Sequence, residues 1–483
     1  MKNKQKSLKL NAFFNVIKSI SSILFPLITF PYISRTLMPK GVGSINFANS
    51  IVSYFLTLAG LGVNSYGIRG VAQNRNDKIK LSKFVKELFI LNIISTLISY
   101  ILLFIGICFI PKFNDNKILI IICGASILLT TIGMDWLYSG LEEYGYITLR
   151  SVFFQLISLI LMFIFVKQPE DYIKYAAIGV ISSSGANIIN LIYSRKYVKI
   201  FNKYNINIAQ HLKPVLILFA SSLAVNIFTT LDTSMLGFIT DKEQVGYYAA
   251  ASKINRMIRD IFPAITGVLY ARLSYYVSIH EEKKINSIIN NTLNFLMCMT
   301  LPVVIGLFIL MEPIILILCG EQYKASISAA HILTPLIIFS AFSSFMGGQI
   351  IMSFKKEKIY LYVMITATIG NIILNYILIP KYLINGASLA TTLSELFIFI
   401  CYFVFTKKII NYKIYIIPFI KYLMSAIVMG VIIYFVQKPI LNNTLKLIIT
   451  IPTGIIIYAI MLYIVKSDFY IAEINNIINK IKR

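Results

Sequence analysis

The sequence predicts an all-α polytopic membrane protein of about fourteen transmembrane helices, and three observations predict it. Hydrophobic residues make up 57% of the 483 residues and charged ones 13%, with a mean hydropathy of +0.77, whereas soluble domains are about a quarter charged. Windows of about 20 apolar residues, the length of helix that crosses about 30 Å of hydrocarbon, recur along the whole chain. Positive residues gather in alternate loops between those windows.

The expected spans run Ala12 to Ser34, Val42 to Tyr66, Phe84 to Ile110, Ile118 to Tyr138, Ile147 to Val166, Ile173 to Tyr193, Pro214 to Phe238 and Val245 to Tyr270. The remainder are Ile289 to Met311, Ile327 to Met352, Ile359 to Ile379, Gly386 to Phe405, Ile416 to Val436 and Leu447 to Val465. Together they leave room only for loops and short ends. The first follows Lys2, Lys4, Lys6 and Lys9, but its apolar run is too long for a signal peptide and no small-residue cleavage site follows.

Lys and Arg are retained on the cytoplasmic side during insertion. One set of loops holds the N-terminus, Arg69 to Lys83, Arg195 to Lys203, Lys355 to Lys358, Lys407 to Lys413 and the tail Lys480, Lys482 and Arg483. The opposite set holds scattered charges such as Lys112, Lys117, Lys242, Lys324, Lys381 and Lys438. The balance, about 28 against about 11, places both termini in the cytoplasm. Val245 to Tyr270 is the most polar span, yet without it the Lys355 and Lys407 clusters would fall outside.

An internal repeat organises these spans. Val42 and Gly43 at the start of span two match Val245 and Gly246 at the start of span eight, and the same spacing sets Arg69 against Arg272. Six spans separate the copies, so both enter the membrane in the same direction, as in parallel repeats. The expectation is two pseudo-symmetric six-helix lobes, residues 1–205 and 206–411, followed by a two-helix segment and basic tail, 412–483.

Ionisable residues deep in a span cost roughly 2.5 to 3.5 kcal/mol on insertion scales, so they face protein or water and mark function. Span eight has Lys253, Arg256, Arg259 and Asp260, which helical geometry places on one face about 15 to 22 Å from the outer end. These charges are expected to line a central polar cavity. The competing reading is an Arg256 to Asp260 ion pair at i,i+4. Further cavity cations are Lys18, Arg35 and Arg69, although Lys18 can snorkel and the two arginines lie near interfaces. Asp232 and Glu395, with Asp260, are candidate acids for pairing a cation or coupling to an ion gradient. Asp135 and Arg150 lie near an interface. Asn46, Asn49, Ser50, Ser53, Tyr54, Asn64 and Tyr66 fit interhelical hydrogen bonds better than sugar contacts.

Other classes are excluded by what the chain lacks. The net charge of +25 is spread over loops rather than gathered on a polar domain, which argues against nucleic acid. The five cysteines (Cys108, Cys123, Cys298, Cys319, Cys401) lie in or beside apolar runs without paired spacing, and His211, His280 and His331 are far apart. Neither pattern suits a disulfide framework or a metal site. There is no P-loop, no H-E-x-x-H and no G-x-S-x-G, and the loops are too short for a glycosyltransferase or polymerase. No cofactor and no catalytic residue is expected.

Four stretches carry a resemblance: FPYISRTLMPKGVGSINFANSIVSYFLTLAGLGVNSYGIRGVAQNR from Phe30 to Arg75, DWLYSGLEEYGYITLRS from Asp135 to Ser151, LDTSMLGFITDKEQVGYYAAASKI from Leu231 to Ile254, and GASLATTLSELFIF from Gly386 to Phe399. In this order they resemble the bacterial polysaccharide repeat-unit flippases, the Wzx-type branch of the multidrug/oligosaccharidyl-lipid/polysaccharide exporter superfamily. The resemblance implies a MATE-like pair of helical bundles around a cavity open alternately to each side of the bacterial cytoplasmic membrane. The implied substrate is an oligosaccharide on undecaprenyl pyrophosphate, of O-antigen, capsule or teichoic type. Membrane lipids, a polysaccharide polymerase and a chain-length regulator are the implied partners, and a proton or sodium gradient the implied drive. A cationic cavity suits a diphosphate, and the paired donors of Arg make Arg256 and Arg259 the first choices. Many relatives have twelve spans, and the two extra helices here are expected to shelter the polyprenyl tail. The alternatives are a multidrug-type antiporter, whose cavity should be acidic and aromatic, and a membrane glycosyltransferase.

Overall fold

The computed structural model describes residues 8–412, 416–467 and 469–472; among residues 8–23 it describes only the side chains of Phe14, Ile17 and Ser21. The basic tail from Lys480 lies outside the described residues. The chain is all-α, with no strand among the described residues. Packing divides it into two compact units, Met1–Gly246 and Tyr247–Arg483.

The first unit contains α1 (Leu8–Gly60), α2 (Val63–Asn74), α3 (Lys78–Phe109), α4 (Pro111–Asn114), α5 (Lys117–Gly133), α6 (Asp135–Gly140), α7 (Tyr144–Phe165), α8 (Tyr172–Val180), α9 (Asn187–Ser194) and α10 (Ala209–Ile239). Helix α1 is two helices joined at Met38 (φ 60°, ψ 171°). Pro39 is the cause, since it bars helical geometry at the preceding residue and cannot donate to the helix ladder. The chain reverses at this point. Before Met38 it runs parallel to α7, as Thr148 Oγ1 donates to the Phe14 carbonyl (3.0 Å) and Tyr32 Oη to the Val166 carbonyl (2.6 Å). After Met38 it runs antiparallel to α3, with Ser99 Oγ donating to the Phe55 carbonyl (2.7 Å) and Ser95 Oγ to that of Ala59 (2.6 Å). Asp77 caps α3 by accepting the backbone N–H groups of Ile79 and Lys80, each at 3.0 Å. Chiefly through the Lys80 bond, the Asp77 carboxyl is held below the usual carboxylate range.

Helix α11 (Lys242–Arg259) begins in the first unit and continues in the second. There follow α12 (Ile261–Gly267), α13 (Leu269–Ser278), α14 (Glu282–Leu318), α15 (Ser326–Leu333), α16 (Leu336–Ser343), α17 (Glu357–Ile409), α18 (Ile416–Gln437) and α19 (Asn443–Ile464). Helix α17 breaks at Leu383 (φ 52°, ψ −126°). A Cβ on Gly386 would strike the Leu378 carbonyl, and residues eight apart meet only where a helix doubles back. Wide π-type turns occupy Ile181–Gly185 and Ser344–Ile351.

Eleven stretches among the described residues are long and apolar enough to cross a membrane. Leu24–Asn74 and Glu357–Ile409 each contain one of the two reversals. The expected span Val245 to Tyr270 is corrected: it is not one helix but α11, α12 and the start of α13. Pro263 lacks the N–H that would reach Arg259, and its ring clashes with that carbonyl, so α11 ends there. Span two is likewise shorter than expected, because the turn at Leu61 (φ 43°) and Gly62 (φ 72°) puts Tyr66 and Arg69 in the separate helix α2.

The repeated Gly43 and Gly246 meet. A Cβ on Gly43 would overlap the Lys242 carbonyl and stand 2.7 Å from the Gly246 nitrogen, while one on Gly246 would overlap the Pro39 carbonyl. The second half of α1 and the first turn of α11 therefore cross backbone to backbone, a distance only glycine allows.

Candidate functional site

Helix α11 carries Lys253, Arg256 and Arg259 and is not one of the eleven long apolar stretches; its neighbours fix how it is rotated. Ala249, Ala250, Ala251 and Ile254 are buried, the small side chains admitting close helix packing. Tyr248 Oη lies 3.3 Å from Thr391 Oγ1 of α17, and Asn255 Nδ2 donates to the Ala330 carbonyl of α15 at 3.2 Å. The opposite face carries Lys253, half-buried, and Arg256, exposed. They are close enough to repel each other, and among the described residues neither has an ion-pair partner. Asp260 is taken by its neighbour: Arg259 Nε stands 3.3 Å from Asp260 Oδ1. The i,i+4 pair of Arg256 with Asp260 does not form. Two like charges with no acid between them make a ready seat for an anion.

The other sequence candidates are dispersed. Glu395 on α17 is buried and accepts a hydrogen bond from Ser343 Oγ at 2.6 Å; the charge of Arg259 reaches it. These groups and the α11 charges all belong to the second unit. In the first unit Asp232 on α10 is buried and Arg35 on α1 exposed, each with a polar or charged partner. Arg69 on α2 is exposed, its guanidinium 5.7 Å above the Tyr66 ring. The side chain of Lys18 lies outside the described residues. No group of three or more His, Cys, Asp and Glu among the described residues could hold a metal.

Two polar networks escape a residue-by-residue reading of the sequence. Arg150, buried in α7, bonds Asp135 Oδ1 (2.9 Å) through Nη2 and Asn187 Oδ1 (3.2 Å) through Nη1, and Asn190 Nδ2 bonds the same Asp135 oxygen at 2.7 Å. The pair near an interface is thus a structural clamp joining α6, α7 and α9. The second network centres on Glu87, buried in α3. It accepts from the Asn207 backbone N–H (2.8 Å) and lies 2.9 Å from His211 Nε2, while Tyr66 Oη lies 3.0 Å from His211 Nδ1. A lone acid at the start of an apolar run was the available signal for Glu87. Its partner is 124 residues away, and no local pattern announces it.

A groove of about 610 Å³ opens in the second unit between α14, α18 and α19. Pro302, Leu307, Met429, Ile433, Ile455 and Tyr458 supply much of its apolar wall. The two C-terminal helices build half of it.

Comparison with known proteins fits this architecture. Residues 8–276 match the family model described as polysaccharide biosynthesis protein. The chain is 25% identical over 406 residues to the putative O-antigen transporter of Escherichia coli (strain K12), covering 82% of this chain and 95% of that one. Among solved structures it is similar to the lipid II flippase MurJ in an inward closed conformation, with a TM-score of 0.76, 20% identity and coverage of 96% of this chain and 100% of that chain. It is also similar to an inward-facing multidrug resistance MATE family transporter of the MOP superfamily, with a TM-score of 0.63, 13% identity and coverage of 80% and 93%. The fold is therefore MurJ- and MATE-like, and the relatives are transporters rather than enzymes. The chain belongs to the polysaccharide biosynthesis protein family.

Proposed function

We propose that the chain is a flippase that moves oligosaccharide repeat units, linked to undecaprenyl pyrophosphate, across the cytoplasmic membrane by alternating access. The observation that carries this reading is the unpartnered pair Lys253 and Arg256 on α11, with Arg259 beside them. A diphosphate leaving the interface loses its hydration, and charge-assisted hydrogen bonds from fixed cations offset that loss. The name of the O-antigen transporter relative points to the same class of cargo. The apolar lining of the groove between α14, α18 and α19 suits part of a polyprenyl chain in chemistry.

A multidrug-type antiporter shares the fold, but a cationic drug calls for acids, and Lys253, Arg256 and Arg259 of α11 are followed by the single acid Asp260. Glu395, with its Ser343 hydrogen bond, is the candidate for coupling transport to a proton or sodium gradient. The distribution of Lys and Arg favours both termini in the cytoplasm, and a polymerase and chain-length regulator would act on the opposite face of the membrane. Deleting the protein from its host is expected to leave lipid-linked repeat units accumulating in the membrane while the surface glycan disappears. A surface glycan unchanged in amount would contradict the assignment.

A further inference from the structure

A cavity of about 640 Å³ lies within the first unit, where the ends of α2, α3 and α10 converge. Arg69, Lys80 and Lys83 line it, and Glu87 is the one acid in its wall. Glu87 is already engaged by the Asn207 N–H and by His211, with Lys83 Nζ at 4.0 Å. Lys80 has only a loose contact with Asp77, 3.8 Å on an exposed surface. Arg69 has no ion pair among the described residues; its guanidinium rests over the Tyr66 ring, and Tyr66 is pinned through its hydroxyl to His211. The lining is therefore positive in excess, and its one arginine is held with donors to spare.

Depth identifies the occupant. The apolar helices α3 and α10 begin at Lys78 and Ala209, so Lys80, Lys83 and His211 lie within their first two turns, the part of a membrane helix that meets lipid phosphates. Leu212 beside His211, and Leu216 and Ile217 one to two turns further along α10, are 42%, 48% and 61% exposed, a surface for acyl chains. Lys and Arg cluster at this end of the unit, and basic pockets between membrane helices at the cytoplasmic side bind anionic headgroups. A free phosphate would have no use for the flanking apolar side chains.

We propose that this cavity binds the phosphate of an anionic lipid, with Arg69 and Lys83 as its principal ligands. The proposal does not rest on the flippase reading, since a membrane phospholipid suffices. The same phosphate chemistry is borne by a lipid-linked diphosphate, and competition separates the two sources.

Native mass spectrometry of the detergent-purified full chain, with added dioleoylphosphatidylglycerol or dioleoylphosphatidylcholine, tests it. The wild type is expected to retain one phosphatidylglycerol about tenfold better than phosphatidylcholine. Arg69→Gln with Lys83→Gln keeps side-chain bulk and is expected to abolish that preference. Lys356→Gln with Lys358→Gln, which removes the same charge from the exposed start of α17 in the second unit, is expected to leave it intact. Added polyprenyl pyrophosphate that displaces the phosphatidylglycerol assigns the site to a carrier diphosphate; failure to displace it assigns the site to membrane phospholipid. Equal retention of the two phospholipids by the wild type, or equal losses in the two double variants, would overturn the proposal.

Discussion

Gly43→Ala is expected to destabilise the protein by about 3 kcal/mol, the upper end of what overpacking costs, because the added methyl meets backbone that no rotamer change can move. It removes the room in which α1 crosses α11, so the first turn of α11 must shift by a bond length or more. That turn anchors the helix carrying Lys253 and Arg256, and transport is expected to fail along with stability. Gly246→Ala should behave alike, and the double variant should cost less than the sum, since both methyls disrupt one contact. Gly179→Ala is the control, for nothing lies within 4 Å of a Cβ there. Thermal unfolding in detergent measures the series. A midpoint for Gly43→Ala equal to that of Gly179→Ala would remove the crossing as a structural constraint.

Arg256→Ala is expected to lower transport by about tenfold to a hundredfold while membrane insertion and melting stay unchanged. The size follows from losing hydrogen bonds to a charged group, about 1.5 to 3 kcal/mol, and the unchanged melting from an exposed side chain that bonds nothing in the protein. Arg256→Lys should recover part of the loss, since the charge stays but the planar fork of donors does not. Arg259→Ala should cost less, because its Nε already faces Asp260. Transport in vesicles containing each variant at equal protein density checks the order. Full activity in both alanine variants would remove them as ligands.

Much of the fold was legible because lipid imposes one simple demand, a long apolar helix, and the chain meets it repeatedly. The matched glycines were legible as a repeat, but a sequence cannot state that two glycines 203 positions apart touch each other. Helix breaks were partly written in proline: Pro39 and Pro263 mark the ends of helices that apolar content alone runs together. The reversal at Leu383 carries no such mark, for Pro380 sits three residues before it inside the helix. The charged face of α11 was readable from helical spacing. Its internal pairing was not, because the break after Arg259 lets Asp260 turn to its neighbour instead of to Arg256. Glu87 and His211 escaped for a different reason: each is unremarkable alone, and the chemistry belongs to their meeting.

Movement of a fluorescently labelled polyprenyl-pyrophosphate oligosaccharide across the bilayer of vesicles containing the purified protein tests the central claim most directly. The account predicts that label loaded in one leaflet becomes accessible to a membrane-impermeant quencher on the opposite side, faster than in protein-free vesicles and more slowly with Arg256→Ala. Label that stays in its original leaflet, at the rate of the protein-free vesicles, would contradict it.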